Sequence, residues 1–152
     1  MSARFSAFRF VHPEFDALDR RQAGLVLAPT GGVELVVDAE AIRQALMLLL
    51  TTQPGERVMR PEYGCHLHRL LFAPNDATTA GLAMHYVRSA VQRWEPRVDV
   101  LQVDAGASVD DATILEIRLD YRIRATLERG LVEYALVLTD APRPSRSTVV
   151  WP

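Results

Sequence analysis

Three glutamates in predicted loops are the first residues whose chemistry needs an explanation. Glu56 and Glu62 flank a loop rich in proline and glycine, and Glu95 ends a predicted helix. Two carboxyl groups about 5 to 9.5 Å apart form the catalytic pair of glycosidases. Each of these glutamates has an arginine one or two residues away, namely Arg57, Arg60 or Arg97. A cationic neighbour favours the ionised carboxylate, whereas a general acid must hold its proton. The sequence therefore favours ion pairing, and we predict no catalytic residue.

A second candidate for chemistry is the segment that contains Cys65, His66 and His68. These residues could suggest a metal site or a cysteine–histidine nucleophile, but the only other histidines are His12 and His85. The ligand spacing typical of zinc sites is absent, and adjacency in sequence is not the spatial pairing that nucleophilic catalysis uses. We therefore expect a buried thiol beside two surface imidazoles, with no metal and no cofactor.

Phosphate and nucleic-acid ligands are disfavoured by the sequence. The glycines of Thr30-Gly31-Gly32-Val33 are not followed by the Lys-Ser/Thr pair of a phosphate-binding loop. The 17 basic and 19 acidic residues give a net charge of −2, and the two signs are interspersed rather than gathered into a basic stripe. We expect no nucleic-acid partner.

Length and composition indicate one ordinary domain over residues 1–152. The chain is 49% hydrophobic and 24% charged, which is enough apolar material for one core. Its single cysteine cannot form an internal disulfide, which is typical of a reducing compartment. The longest apolar run, Ala45 to Leu50, is far shorter than the ~20 residues of a membrane span. We expect a soluble protein made in the cytoplasm, without membrane insertion.

The N-terminal region has no clear hydrophobic period. Residues 1–24 place Phe5, Phe8, Phe10 and Phe15 among charges, which predicts an extended arm that lies on its own domain or on a neighbour. The β-rich stretches 25–27 and 33–37 surround Pro29-Thr30-Gly31-Gly32. Proline and glycine favour a tight turn there, so a short hairpin is expected.

Two helices account for the helical periodicity. Asp38 is the predicted N-cap of the first, which must end by Gln53 because Pro54 and Gly55 follow. Asn75 or Asp76 is the predicted cap of the second, which runs to about Trp94. A short helical turn is predicted from His66 to Phe72. The apolar stripes that should face the core are Ile42, Ala45, Leu46, Leu49 and Leu50, and Ala80, Ala83, Met84, Val87, Ala90, Val91 and Trp94.

The C-terminal third changes to a period of two, which predicts strands. Residues 98–105 form one strand, with an irregularity at Val100-Leu101, and residues 115–127 alternate apolar and polar throughout. Arg129-Gly130 is the predicted turn to a third strand, with Val132, Tyr134, Leu136 and Leu138 inward and Val137 outward. The fold class is therefore α+β, with two helices on a three-stranded antiparallel meander. Residues 141–152 are expected to be a loose tail.

Charged residues concentrate in the two loops that frame the helix ends. They are Glu56, Arg57, Arg60, Glu62, Glu95 and Arg97, each near proline or glycine. Arginine forks match carboxylates and carbonyls with defined geometry. The arrangement fits either a protein-docking surface or an internal salt-bridge network, and both can hold together.

Three segments of the sequence closely resemble one known family. They are residues 42–46, 51–76 and 93–100, which read IRQAL, TTQPGERVMRPEYGCHLHRLLFAPND and RWEPRVDV. They resemble the GPW-like baseplate wedge family of contractile tails, over about residues 32–138. That family includes small wedge proteins of contractile phages and counterparts in type VI secretion and extracellular injection particles.

The resemblance implies a structural role without a cofactor. Its members join the helical core bundle of the baseplate wedge and present a strand-bearing edge from which the first sheath ring is nucleated. The implied partners are other wedge subunits, the sheath subunit by strand addition, and the central spike or hub proteins. The implied partner-binding residues are Gly55, Glu56, Arg57, Arg60, Pro61, Glu62 and Gly64 in the first block, and Glu95, Pro96 and Arg97 in the second.

Two rival functions stay open from the sequence. Some proteins of related fold act as regulatory anti-adaptors that block protein degradation, and some members of the family have been described as lysozyme-like. The sequence contains no isolated carboxylate pair that would support the lysozyme-like function. It does not distinguish a phage tail from a type VI apparatus or a free injection particle.

Overall fold

The structure, a computed structural model, describes residues 4–12 and 23–139. The predictions for Phe15 and for the tail 141–152 lie outside these residues. Along the chain come four short strands, a long helix, a 3-10 helix, a second long helix and three long strands. The α+β class is confirmed, with two helices packed on an antiparallel three-stranded sheet.

The two long helices form where the apolar stripes predict them. Helix α1 spans Asp38–Thr51 and helix α2 spans Ala77–Trp94. The Asp76 carboxylate accepts the Thr79 N–H at 2.8 Å, so the predicted cap of α2 is confirmed. The buried residues of α1 are Ala41, Ile42, Leu46, Met47, Leu49 and Leu50, and those of α2 are Thr79, Ala80, Ala83, Val87, Ala90 and Val91.

The C-terminal meander carries the other half of the core. Strands β5 (Val98–Ala107), β6 (Ile114–Ile123) and β7 (Arg129–Val137) pair antiparallel in the order β5-β6-β7. The register shifts between Val100 and Gln102, which confirms the predicted bulge. The inward side chains that meet the helices are Val98, Val103, Leu115, Ile117, Leu119, Tyr121, Ile123, Val132 and Leu136.

The connection between β6 and β7 corrects the predicted turn. Strand β6 ends at Ile123, and the chain turns at residues 124–126, whereas Arg129 and Gly130 already lie in β7. Leu127 has a φ of +61° and is 68% exposed. The apolar/polar alternation of the sequence therefore continues beyond the end of the strand. Gly130 serves a different purpose from a turn, because the Tyr121 ring fills the space that a Cβ would occupy.

Val137 also departs from its prediction. Its side chain is 7% exposed rather than outward in solvent, because the end of β7 is covered. The Phe72 N–H donates to the Leu138 carbonyl at 2.7 Å, and the Leu138 N–H donates to the Thr113 carbonyl at 2.9 Å. Proline at Val137 would therefore disturb the packing as well as the sheet edge.

The described part of the arm lies on its own domain. Strand β1 (Ser6–Phe8) pairs with β4 (Leu35–Val37), and β2 (Phe10–Val11) pairs with β3 (Gly24–Leu25). A bridge between Leu27 and Val33 closes the predicted hairpin between β3 and β4.

Asp38 and Gln44 fasten this arm to helix α1. Asp38 Oδ1 accepts the backbone N–H groups of Arg4 at 2.8 Å and Phe5 at 3.2 Å. The prediction that Asp38 is the N-cap is wrong, since the helix begins at Asp38 itself, the N-cap position is Val37 and no side chain caps the helix there. The Gln44 amide donates to the Phe8 carbonyl and accepts the Phe10 N–H, at 2.8 and 2.9 Å.

Candidate protein-docking site

The first block of predicted site residues forms a closed loop after helix α1. The Gly55 N–H donates to the Pro61 carbonyl at 2.6 Å and joins the two sides of the loop. Gln53 donates its N–H to Glu56 Oε2 at 2.9 Å, and Gly55 has a φ of +99° that glycine tolerates best. The loop thus has fixed internal bonds despite its exposed position.

Gly64 permits the close return of this loop to the helix end. Its φ is +137°, and a Cβ there would lie 2.9 Å from the Gln53 carbonyl carbon and closer still to the Thr52 oxygen. The next residue, Cys65, donates its N–H to that Thr52 oxygen at 2.9 Å. Gly64 is therefore a structural member of the site, buried beneath the loop.

The second block is the turn Glu95-Pro96-Arg97 that follows helix α2. Glu95 is 5% exposed, and its two carboxylate oxygens accept Arg97 Nε at 2.5 Å and Arg97 Nη2 at 2.6 Å. The guanidinium also lies 5.4 Å from the centre of the Phe5 ring, which brings the arm to the turn. The hydrogen bonds that Arg97 donates to Glu95 raise the pKa of Arg97, so the guanidinium holds its proton firmly.

Aromatic side chains join the two blocks. Tyr63 and Trp94 meet edge to face, with ring centres 5.4 Å apart. Arg57 lies over the Tyr63 ring at 4.1 Å, and Arg93 lies over the Trp94 ring at 4.9 Å and pairs with Glu62. Desolvation raises the pKa of Tyr63, while nearby Arg57 lowers it. We call this assembly, residues 53–64 with Glu95–Arg97 and Trp94, the docking corner.

The docking corner separates the predicted site residues into two groups. Gly64 and Glu95 are buried, and Arg97 is partly buried in the pair with Glu95. The residues exposed at the surface are Gly55, Glu56, Arg57, Arg60, Pro61, Glu62 and Pro96. An internal ionic contact is therefore present at Glu95–Arg97, and an exposed surface stands beside it.

Sequence reasoning missed several residues that build this corner. It assigned no role to Tyr63 and Trp94 as the bridge between the blocks, or to Phe5 as the ring over Arg97. It also passed over Val58 and Met59, which are 95% and 91% exposed. Two adjacent apolar residues in an otherwise polar loop are a signal that could have drawn attention.

The residues that the structure describes contain no cluster of side chains that could hold a metal ion. Across 4–12 and 23–139, no three His, Cys, Asp or Glu side chains come close enough to hold a metal ion. His66 and His68 have ring centres 5.9 Å apart, and Cys65 is buried, which raises its pKa to about 11. No helix in those ranges is long and apolar enough to cross a membrane.

The three candidate carboxylates all have hydrogen-bond donors. Glu56 accepts a backbone N–H, Glu62 accepts Arg93, and Glu95 accepts both arms of Arg97. The two bonds from one guanidinium fix the position of the Glu95 carboxylate. These groups are placed for holding loops together.

Comparison with known sequences gives one family and two curated relatives. Residues 36–128 match the family described as baseplate wedge protein gp25. The chain is 39% identical over 79 residues to the baseplate wedge protein gp25 of Enterobacteria phage T4, covering 51% of this chain and 60% of that protein. It is 35% identical over 75 residues to baseplate protein W of Escherichia phage P2, covering 49% and 65%. The matched part spans less than two thirds of either relative.

Comparison with solved structures gives the same fold. A Geobacter sulfurreducens protein, described as a candidate tail lysozyme, is 35% identical with a TM-score of 0.63, covering 70% of this chain and 98% of that one. A chain of the anti-feeding prophage baseplate is 23% identical with a TM-score of 0.56, covering 75% and 80%. A chain of the type VI secretion baseplate complex is 13% identical with a TM-score of 0.51, covering 64% and 90%. At these identities the last two show the fold alone.

Proposed function

Because the chain belongs to the baseplate wedge protein gp25 family, we propose that it is a structural wedge component of the baseplate of a contractile injection machine. The proposed role is non-enzymatic. The protein would assemble in the cytoplasm with other wedge subunits and remain in the baseplate of the finished particle. The central spike or hub proteins are further proposed neighbours.

The observation that carries this proposal is the docking corner itself. Two loops far apart in sequence are joined through Tyr63 and Trp94 into one surface. That surface presents Arg57 and Arg60 on a backbone held by its own hydrogen bonds. A backbone that is already ordered loses little freedom on binding, so its arginines suit a permanent contact with carboxylates and carbonyls of the wedge core bundle.

Sheath attachment is proposed at a free edge of the meander. Strands β5 and β7 each have one neighbour in the sheet, so each has an unpaired edge within the described residues. The bulge between Val100 and Gln102 interrupts β5, whereas β7 pairs with β6 without a register shift. A regular edge is the better template for strand addition, which favours β7.

The hydrogen-bond alternation identifies the residues at each edge. Ile123 donates to Glu128 and Leu138 donates to Thr113, so the even-numbered residues of β7 face β6. The N–H groups of Leu131, Glu133 and Ala135 therefore point to the free edge. Ala135→Pro removes one such donor at an exposed position and leaves the Glu133–Arg118 ion pair in place.

A matched variant distinguishes the two edges. Ser108 donates to Ile114, so the N–H of exposed Ala107 points to the free edge of β5. If β7 receives a sheath strand, Ala135→Pro should stop sheath polymerisation on purified baseplates and Ala107→Pro should not. Electron microscopy of assembled tails measures this, with a thermal unfolding scan of each variant to check that it folds. Normal sheath on Ala135→Pro baseplates would remove β7 from the proposal.

The main experiment asks whether the chain enters a baseplate. A tagged chain co-expressed with the wedge subunits of its own particle should be recovered in a stoichiometric complex and located by electron cryo-microscopy. A chain that stays monomeric in cells and never enters a tail-like particle would refute the wedge role. Capture of a monomeric response regulator instead would favour the anti-adaptor alternative.

The absence of catalysis is tested separately. The Geobacter relative is described as a candidate lysozyme, so a peptidoglycan zymogram is the direct comparison. We expect no clearing from the wild-type chain, and none from Glu56→Gln or Glu95→Gln. Clearing by the wild type that either variant abolishes would assign an enzymatic function.

A further inference from the structure

The tip of the docking loop is apolar and almost completely exposed. Val58 and Met59 are 95% and 91% exposed. They occupy the centre of a turn, because the Arg60 N–H donates to the Arg57 carbonyl at 3.2 Å. Side chains at the two central positions of a tight turn project from the surface.

The turn is held in this position by the loop beneath it. The bond from Gly55 to Pro61 closes the loop three residues before Val58 and two after Met59. Arg57 is fixed over the Tyr63 ring, and Tyr63 rests against Trp94. The apolar tip therefore stands on a bonded base, and a partner that buried it would order little additional backbone.

The charges around the tip favour a partner surface that carries negative charge. Arg57 and Arg60 flank the two apolar residues on either side. The nearby carboxylates are engaged away from the tip, since Glu56 accepts the Gln53 N–H and Glu62 pairs with Arg93. An exposed apolar pair flanked in sequence by two arginines is complementary to an apolar pocket bordered by carboxylates.

We propose that the turn Arg57–Arg60 is an anchor that inserts Val58 and Met59 into an apolar pocket of a wedge partner, with acidic residues at the pocket rim. This inference rests on the proposed function and names the chemistry of the partner surface. Interface energies concentrate in a few side chains that are fully buried on binding, and a rigid exposed pair of this kind meets that description.

The chain offers a matched control for the anchor. Val109 is 101% exposed in the connection between β5 and β6, so Val109→Ser makes the valine part of the change elsewhere. The probe is the wedge subunit complex of the same baseplate, purified without this chain and immobilised. Val58→Ser combined with Met59→Ser should weaken binding by about 30-fold or more, whereas Val109→Ser should stay within about twofold.

The acidic rim has its own readout. Arg60→Gln should weaken binding and reduce its dependence on salt, because one charge pair is removed from the interface. A crosslinker placed at Met59 in the assembled wedge should label a partner peptide with apolar and acidic residues. Unchanged salt dependence in Arg60→Gln, or a crosslinked peptide with a basic rim, would overturn the acidic part.

The possible failures are distinguishable. If the wild-type chain binds the wedge complex and the Val58/Met59 double variant binds equally well, the anchor is wrong and the wedge function stands. If the wild-type chain binds no wedge subunit, the proposed function itself fails. Self-association of the isolated chain, or flotation with phosphatidylglycerol vesicles, that the double variant abolishes would assign the tip to a second copy or a lipid surface instead.

Discussion

The guanidinium of Arg97 donates hydrogen bonds to both carboxylate oxygens of Glu95, two residues earlier, at 2.5 and 2.6 Å. Glu95 is 5% exposed, so this carboxylate depends on the arginine for its compensation. Pro96 between them restricts the backbone and keeps the two side chains on the same side of the turn. The pair is therefore part of the fold as well as part of the docking corner.

Arg97→Ala should destabilise the fold as well as weaken wedge assembly. Because the variant leaves a buried carboxylate unpaired, we expect a loss of roughly 1–3 kcal/mol in the free energy of unfolding, measured by urea denaturation. Adding Glu95→Gln should recover part of the loss, since the uncompensated charge is gone. An Arg97→Ala chain as stable as wild type would show that water compensates Glu95.

Gly64 should be the least replaceable glycine of the docking corner. Gly64→Ala combines a φ of +137° with a collision against the backbone of Thr52 and Gln53, whereas Gly55→Ala meets open space and only the unfavourable φ of +99°. We expect Gly55→Ala to cost about 1 kcal/mol and Gly64→Ala clearly more. Urea unfolding of both variants measures the difference. Equal losses would mean that the loop relaxes around the added methyl group.

Cys65 should be unreactive in the folded protein. The thiol is 2% exposed, and its burial raises the pKa to about 11. At pH 8 both the access and the thiolate fraction are small, so a thiol reagent such as DTNB should label the native chain far more slowly than the urea-unfolded chain. Rapid stoichiometric labelling of the native chain would reopen the possibility of a nucleophilic cysteine.

His66 should make the fold less stable in mild acid. Desolvation, together with Arg69 and His68, lowers its pKa in the folded state. The unfolded chain then binds this proton more readily than the folded chain. The contribution of neutral His66 to the free energy of unfolding is therefore complete above pH 6.5, the ordinary pKa. It decreases as the pH falls through that value. Urea midpoints between pH 8 and 5 should fall less for His66→Gln than for wild type. Parallel curves would show that His66 is not responsible.

The sequence predicts most of the scaffold because its signals are local. The stripe from Ile42 to Leu50 and the Asp76 cap determine the two helices, and the phase slip at Val100 marks the bulge. The end of β6 could not be predicted, because the alternation continues through Leu127 after the chain has turned. The prediction that Val137 faces outward failed because its burial at the end of β7 depends on how distant segments pack, and the sequence around Val137 does not show this.

The docking corner was predicted as two separate blocks. Their residue types indicated rigid, charged loops, but nothing local shows that Tyr63 meets Trp94, or that Phe5 of the arm reaches Arg97. Asp38 has a typical capping sequence, yet a tertiary contact with Arg4 claims its carboxylate. Such assignments require the fold, since the competing partners are more than thirty positions apart.

The charged residues on the outer face of the meander restrict the register in which β7 pairs with β6. Glu133 lies opposite Arg118, at 3.5 Å between Oε1 and Nε. Sliding β7 by one residue would turn its apolar side chains to water, and sliding it by two would set Glu133 against Glu116 or Asp120. Only one alignment avoids both errors. The register of β7 therefore fixes the position and direction of its unpaired backbone N–H and C=O groups before any partner binds.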